Sequence, residues 1–479
     1  MVNDKGSHQK EIPETITSKQ MDKDIFFLEE EHSLYGASEE LVENVISAIE
    51  RNDSAFLVKV SKSLHAADVA DLINKLTSDQ RRPFIEAIKN HFDPTVLTYL
   101  EDSTKDAVLA FVGTGALAAA LSNLESDDVI HVIEDLDKHQ QKQLLDAIPA
   151  KERAILEEVL SYPEDSAGRL MQREIVCVPN FWTVKETIDF IHNAQGIPES
   201  FYSVFVVDPR HHPIGAVALN RILREEADTK IADIMENNLN LIPVTMDQEE
   251  VALMFRHYAL VSAPVVDENG RLVGMITVDD VVDVIDEEAE QDIMYIAGVS
   301  ESDFNDPVLE TAFSRSRWLV VTLINTLIAS HVISRFESSI HEKVALAFLM
   351  VIVAAMGGNS GMQAVTVTIR ALATRELTST NQMKAIRKEL FVSIVMGLLF
   401  ATILGTIGGL WLNELQVGLV LGGALFCNML WAGLAGACLP IFVRRLGLDP
   451  AISAGPLLTT TTDVLGYAIF LGLATYFLL

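Results

Sequence analysis

Gly455-Pro456-Leu457-Leu458-Thr459-Thr460-Thr461-Thr462-Asp463 lies inside a run from Ala451 to Leu479 in which Asp463 is the one charged side chain. A helix needs about 20 mostly apolar residues to cross ~30 Å of hydrocarbon, so the run is long enough to span a bilayer. An acid in such a helix costs at least ~2.5–3.5 kcal/mol on insertion, which predicts that Asp463 faces a polar cavity. The alternative is a protonated carboxyl bonded to a neighbouring helix. Thr459 stands four residues before Asp463 and shares its face. Carboxylate, hydroxyl and carbonyl oxygens together suit a hard cation such as Mg²⁺ or Ca²⁺. The membrane spans offer no Cys or His cluster of the kind a softer metal prefers; His331 reads as a packing or interfacial residue.

Four more apolar runs precede this one, at Trp318–Ser334, Val344–Ile369, Leu390–Asn413 and Leu415–Val443. Lys and Arg in short loops set orientation. Arg315, Arg317, Arg370, Arg375, Lys384, Arg387, Lys388, Arg444 and Arg445 fall on one side, against Arg335 and Lys343 on the other. This predicts a multi-pass protein of the plasma (inner) membrane with its N-terminal region in the cytoplasm and its C-terminus outside. Met1–Gln20 is polar and lacks the apolar core of a secretory signal. The second run carries Met356-Gly357-Gly358-Asn359-Ser360-Gly361-Met362-Gln363 near mid-membrane depth. Gly357 and Gly361 fit a close helix crossing. The sharper expectation is a bent or unwound segment whose carbonyls, with Asn359 and Gln363, face a watery pathway, the setting in which irregular backbone is tolerated at this depth.

The remainder of the chain is chemically different. Of 67 Asp and Glu against 36 Lys and Arg, residues 1–314 hold 60 and 25, a net charge of −35, while residues 315–479 carry a net of +4. That acidity excludes a nucleic-acid partner, which needs clustered Lys and Arg, and favours cations or charge-driven solubility. Three cysteines, Cys177, Cys427 and Cys438, make no disulfide framework.

The acidity peaks directly before the first span. Asp279, Asp283, Asp286, Glu287 and Glu290 fall on one face of a helix beginning near Val278, where like charges four residues apart cost ~0.2–0.5 kcal/mol per pair. A solvated face carries this cheaply; a divalent ion bridging to another acidic surface removes the repulsion. Upstream, residues 165–290 repeat. Val206-Val207-Asp208 with Gly215 recurs as Val265-Val266-Asp267 with Gly274, and Leu170-Met171 as Ile234-Met235. Each copy reads as strand, helix, strand, turn, strand, helix. Thr277, followed three residues later by Asp280 at a helix start, suits either a cap or ribose and phosphate groups; the first copy has Ala218 and Arg221 instead. Residues 36–160 show short amphipathic helices, one of them read as starting at a Ser63 cap and others at Leu117–Leu124, Asp127–Leu136 and Gln140–Ile148, forming a helical stack whose hand stays open.

Taken in order, these features resemble the MgtE family of magnesium transporters and channels from about residue 36 to the end. The resemblance rests on Ser161-Tyr162-Pro163-Glu164-Asp165-Ser166-Ala167-Gly168-Arg169-Leu170-Met171, on residues 357–363, on Arg370-Ala371-Leu372-Ala373-Thr374, and on Asp449-Pro450 through Asp463. The repeat is similar to a tandem pair of CBS domains. The resemblance implies a multidomain chain: a mobile tail (1–35), an all-α superhelical N domain (36–164), an α/β tandem CBS pair (165–229 and 230–290), a connecting plug helix (291–314) and an all-α five-helix transmembrane pore domain (315–479).

It further implies a homodimer in lipid with the pore between subunits. Asp463 matches the pore aspartate, and Gly357, Gly358 and Asn359, with Thr459, its pore lining at a turn. The acidic helix, with Asp279, Asp280, Asp283, Asp286, Glu287, Glu288, Glu290 and Asp292, matches the region where Mg²⁺ closes the gate. Asp449 corresponds to an acid at the cytoplasmic mouth, and Asp127 and Asp128 are N-domain candidates for Mg²⁺. Family members can bind ATP at the CBS pair, here through Thr277 and Asp280. The function implied is Mg²⁺ influx down its gradient, closed by cytosolic Mg²⁺, with Co²⁺, Mn²⁺ and Ca²⁺ as other divalent candidates; the chain is read as no enzyme. A membrane-anchored nucleotide sensor would gain nothing from Asp463, and an intramembrane hydrolase would need a second carboxylate or a His set within a span.

Overall fold

The computed structural model describes residues 36–479 apart from 113–116, 119–120, 122–123, 135, 137, 195–196, 199 and 300–307. The N-terminal tail and the middle of the 291–314 connection therefore lie outside the described residues, as does much of Leu117–Leu124. The chain divides into two units. One runs to Glu164 and adds Gly168–Asn237 and Val266–Met275; the other holds Asp165–Ala167, Asn238–Val265 and Ile276–Leu479.

The first unit begins with short helices, among them Glu39–Glu50, Ser54–Ser63, Ala66–Lys75, Ser78–Ile88, Asp102–Val112, Ser126–Glu134, Lys138–Ala147 and Ala150–Val159. Local chemistry starts several of them. Ser38 Oγ accepts from the Leu41 amide at 3.2 Å and Asp53 Oδ1 from Phe56 at 3.1 Å, satisfying N–H groups that a helix start leaves orphaned. The Ser63 cap is corrected: Ser63 ends its helix, and His65 caps the next, Nδ1 accepting from the Ala67 amide at 3.3 Å. The hydroxyl of Ser63 donates back to the Val60 carbonyl, so it serves the end of one helix rather than the start of another.

The repeat folds as its pattern predicts. In the first copy Cys177–Pro179 lies parallel to Ser203–Val207, which pairs antiparallel with Pro213–Ala218, Val206 opposite Gly215. Helix Val184–Asn193 packs on this sheet through Val184, and the core closes with Val178, Val204, Val217 and Ile231. The second sheet has the order Ile242–Pro243, Ser262–Val266, Leu272–Thr277. The recurring Met and Gly meet across copies. Gly215 faces Met235, where an added Cβ would stand 2.7 Å from the sulfur, and Gly274 faces Met171 at the same 2.7 Å.

Among the described residues, the second unit contains five helices long and apolar enough to cross a membrane: Thr311–Ser334 (within helix Val308–Ser334), Ala345–Ala373, Gln382–Trp411, Leu415–Arg445 and Pro450–Leu478. The fourth is the central one, with most of its apolar length buried, while the first and third are largely uncovered. Leu346, Leu349 and Val353 of the second helix, Val417, Val420, Leu421 and Ala424 of the fourth, and Phe470, Leu471 and Ala474 of the fifth form one cluster. Glycines bring the third and fourth helices to backbone contact: a Cβ on Gly418 would lie 2.3 Å from the Gly405 carbonyl oxygen. The unwound segment expected in the second helix is not found. Ala345–Ala373 is continuous, because its glycines serve close crossings instead, Gly357 against Asn428 and Gly361 against Leu458. A completed ladder leaves no backbone group unpaired in hydrocarbon.

Gly418→Ala therefore forces the third and fourth helices apart and should cost about 1–3 kcal/mol, whereas Gly423→Ala, which meets nothing within 4 Å, should be neutral or slightly stabilising. Thermal or denaturant unfolding of the two variants in the same detergent checks the contrast.

Candidate ion pathway and acidic regulatory face

Asp463 is half-buried in the fifth helix and Thr459, one turn earlier, is exposed. Their shared face is therefore open along the helix. The threonines differ in their use. Thr459 donates to the Gly455 carbonyl at 3.1 Å, Thr460 to Pro456 at 2.7 Å, and the fully buried Thr462 to Leu458 at 3.0 Å. Their hydroxyl protons are engaged by their own helix, which leaves oxygen lone pairs as what Thr459 can offer. Asn325 of the first helix donates to the Pro456 carbonyl at 3.3 Å, so the proline turn is tied to a neighbour as well as to Thr460.

On the second helix Asn359 and Gln363 are both exposed and, four residues apart, lie on one face. Gly357 is buried and Gly358 borders open space. An uncovered amide pair on a membrane helix is unfavourable against lipid, though less so than an ionised carboxylate. The second and fifth helices thus each carry a polar stripe among apolar neighbours.

The acidic helix is Val278–Ile296. Asp279, Asp283, Asp286, Glu287 and Glu290 are exposed, as a single outer face requires, while Glu288 and Asp292 are half-buried on the other side. This inner pair belongs with a residue the sequence reading missed. Glu249, in helix Gln248–Tyr258, has its carboxyl driven by burial from the ordinary 4.5 to about 7, with Glu288, Asp247 and Asp292 adding to the rise and Arg444 opposing it. Burial likewise raises Glu288, which accepts from the Gln248 amide at 2.9 Å, and Asp292, which also feels Asp449. On the outer face Asp283 is raised by partial desolvation and by Asp286 and Asp279. These acids repel one another, yet among the described residues no three His, Cys, Asp or Glu side chains converge as an inner-sphere metal site.

Asp449 has a second task. Its Oδ1 accepts from the Ala451 amide at 2.7 Å, capping the fifth helix, with Pro450 at the first helical position. At the far end of the acidic helix, Tyr295 and Ile296 pack on Val365, Ile369, Ala435, Ala451, Ala454 and Leu458 of three membrane helices. Glu250, beside Glu249, forms an ion pair with Arg375, which follows the second helix. The acidic helix and its partner helix thus touch the membrane helices through apolar and ionic contacts.

Asp127 and Asp128 occupy the first turn of Ser126–Glu134, and Asp127 Oδ1 accepts the Asp128 amide at 3.0 Å. Thr277 is buried, and its hydroxyl donates to Asp280 Oδ2 at 2.6 Å while accepting no capping bond from the helix start. In the first copy Ala218 occupies the corresponding position and makes no side-chain cap.

Comparison with known proteins agrees with this layout. Residues 350–473 match the family model of MgtE divalent cation transporters, residues 64–165 that of the MgtE intracellular N domain, and residues 231–287 the CBS domain. The chain is 32% identical over 446 residues to the magnesium transporter MgtE of Thermus thermophilus, covering 91% of this chain and 98% of that protein. It is 30% identical over 436 residues to that of Bacillus subtilis, covering 91% and 93%. Among solved structures, the cytosolic domain of the Mg²⁺ channel MgtE in complex with ATP aligns at a TM-score of 0.48 and 30% identity, over 51% of this chain and all of that one. These relatives are transporters and not enzymes, and with a matching N-terminal domain, CBS domain and membrane domain in the same order, this chain belongs to the MgtE family.

Proposed function

We propose that this protein is a Mg²⁺-selective channel or transporter that admits Mg²⁺ down its electrochemical gradient and is closed by cytosolic Mg²⁺. The observation that carries the reading is the open, half-buried Asp463 with the exposed Thr459 on its face, a site of oxygen donors inside an otherwise apolar helix. Two positive charges moving through 100 mV release about 4.6 kcal/mol, at ~2.3 per charge, so no nucleotide hydrolysis is needed. The polar stripes of the second and fifth helices would be shielded from lipid in a homodimer whose subunits place them along a shared pore. Paired Asp463 carboxylates there would attract a divalent ion. Mg²⁺ sheds water reluctantly, so Asp463 and Asn359 would hold it through its hydration shell. The relatives' printed substrate supports Mg²⁺ over Co²⁺, Mn²⁺ and Ca²⁺.

The regulatory side follows from charge. Hydrated Mg²⁺ bridging Glu249, Glu288, Asp292 and Asp449, and the outer acids Asp279, Asp283, Asp286, Glu287 and Glu290, would relieve their repulsion and favour the closed arrangement. Bridging through water accommodates carboxylates that do not converge on one point. Tyr295 and Ile296 supply the route from that face to the membrane helices. The distribution of positive loops supports an acidic region in the cytoplasm and a C-terminus outside. ATP at the CBS pair would use Thr277 and Asp280, exchanging their mutual hydrogen bond for the ligand.

Three outcomes test this reading. In liposomes, Asp463→Ala should reduce Mg²⁺ uptake to that of empty vesicles, while wild-type uptake falls as Mg²⁺ on the cytoplasmic face rises; undiminished flux in the variant removes Asp463 from the pathway. Asp283→Asn with Glu287→Gln should shift closure to higher cytoplasmic Mg²⁺, read from the same flux assay. Proton linkage gives the third. A carboxyl raised from 4.5 to about 7 on folding holds a proton that the unfolded chain releases, so its contribution to stability is present at low pH and lost as pH rises towards 7. Mg²⁺ displacing that proton should release protons at pH 6 and few at pH 8, measured by titration calorimetry in buffers of different ionisation heat. Glu249→Gln should remove most of the release at pH 6; equal release in the variant would show that Glu249 is not the linked group.

A further inference from the structure

The central membrane helix buries one polar side chain completely. Asn428 is 0% exposed; its Nδ2 donates to the Val353 carbonyl of the second helix at 2.9 Å, and its Oδ1 meets no donor. A buried polar atom left unpaired is rare and calls for a reason, since Leu would fill similar space without one. The carboxamide is seated between two glycines. A Cβ at Gly357 of the second helix would stand 2.1 Å from Nδ2, and one at Gly466 of the fifth would stand 2.7 Å from it. One amide therefore touches both helices that carry the polar stripes. Gly466 follows Asp463 by three residues, less than one helical turn, and Gly357 precedes Asn359 by two.

We infer that Asn428 is a positioning residue for ion passage: wedged between Gly357 and Gly466 and tied to Val353, it sets the height and rotation of the second and fifth helices against each other, and so the placement of Asp463 relative to Asn359. The inference rests on the transport reading above and adds a residue to it. Asn428 does not touch the ion. It acts through the two helices it separates, and the hydrogen bond to a carbonyl already within the second helix's ladder fixes register in a way a purely apolar contact would not.

The test is Mg²⁺ and Ca²⁺ uptake by the full-length protein in liposomes, normalised to folded protein by gel filtration and melting. Asn428→Leu should lower Mg²⁺ uptake about tenfold or more, as losing a second-sphere partner does at metal sites, with a changed half-saturation and a changed Mg²⁺ to Ca²⁺ ratio. Gly357→Ala should reproduce the defect by crowding the amide, and Gly357→Ala with Asn428→Ala should recover part of it by making room. A merely structural role would leave half-saturation and ion ratio as in wild type for every molecule that folds, and that result overturns the inference. Should Asn428→Leu fail to fold, the glycine pair decides: no recovery in the double variant is equally fatal. Absence of uptake by wild type would instead overturn the transport reading.

Discussion

Helices in a bilayer gain little by burying apolar surface against one another, because lipid tails are just as apolar, so close association has to come from shape and polar ties. The membrane half of this protein is organised by that constraint. Gly405 and Gly418 let two backbones meet, Gly361 admits Leu458, and Gly357 and Gly466 admit the Asn428 amide. Each glycine gives up helix propensity, about 1 kcal/mol relative to Ala, and gains contact that no larger residue permits. The helix that seats Asp463 is held through these approaches, so the most expensive residue in the membrane depends on the smallest ones.

The soluble acids obey the same logic of unfavourable placement. An outer face of carboxylates is cheap while water screens it, but Glu249, Glu288 and Asp292 have lost much of that water and lie near further negative charge. Their proton affinity is raised first by burial and then by the neighbouring negative charge. On the proposed function, a cation entering this region would act on the neighbouring elements through the end of the acidic helix, where Tyr295 and Ile296 pack against the membrane helices. Arg375 and Arg444 already supply part of the compensation from the membrane side.

Asp463 was legible because a charge in an apolar run stands out without reference to anything else, and the outer acidic face because its spacing is helical. Glu249 was not. In sequence it is one of two glutamates in the first turn of an ordinary helix, and its distinction arises from Glu288, Asp292 and Arg444, which are remote in the chain. Asn428 escaped for the same reason: a lone amide in a long apolar span has no local motif, and Gly357 and Gly466 declare its role only once the helices are packed. The glycines at 357 and 361 supported both a bend and a crossing; the crossing is found because neighbouring side chains occupy the space they leave. Ser63 shows a smaller ambiguity, since a serine between two helices can finish one or begin the next.

The exchange of methionines between the two sheet-bearing repeats has a consequence for how the chain reaches its native state. Met235, from the lead-in to the second copy, lies on Gly215 of the first, and Met171, from the lead-in to the first, lies on Gly274 of the second. The Ala216–Glu236 and Gln172–Met275 bridges follow the same exchange. Neither copy can complete its own sheet surface, so each is the other's template. Gly215 therefore stays uncovered until Met235 follows it in the chain, and Gly274 is covered by a residue made long before it, so the contacts that finish each copy couple the stability of one to the other.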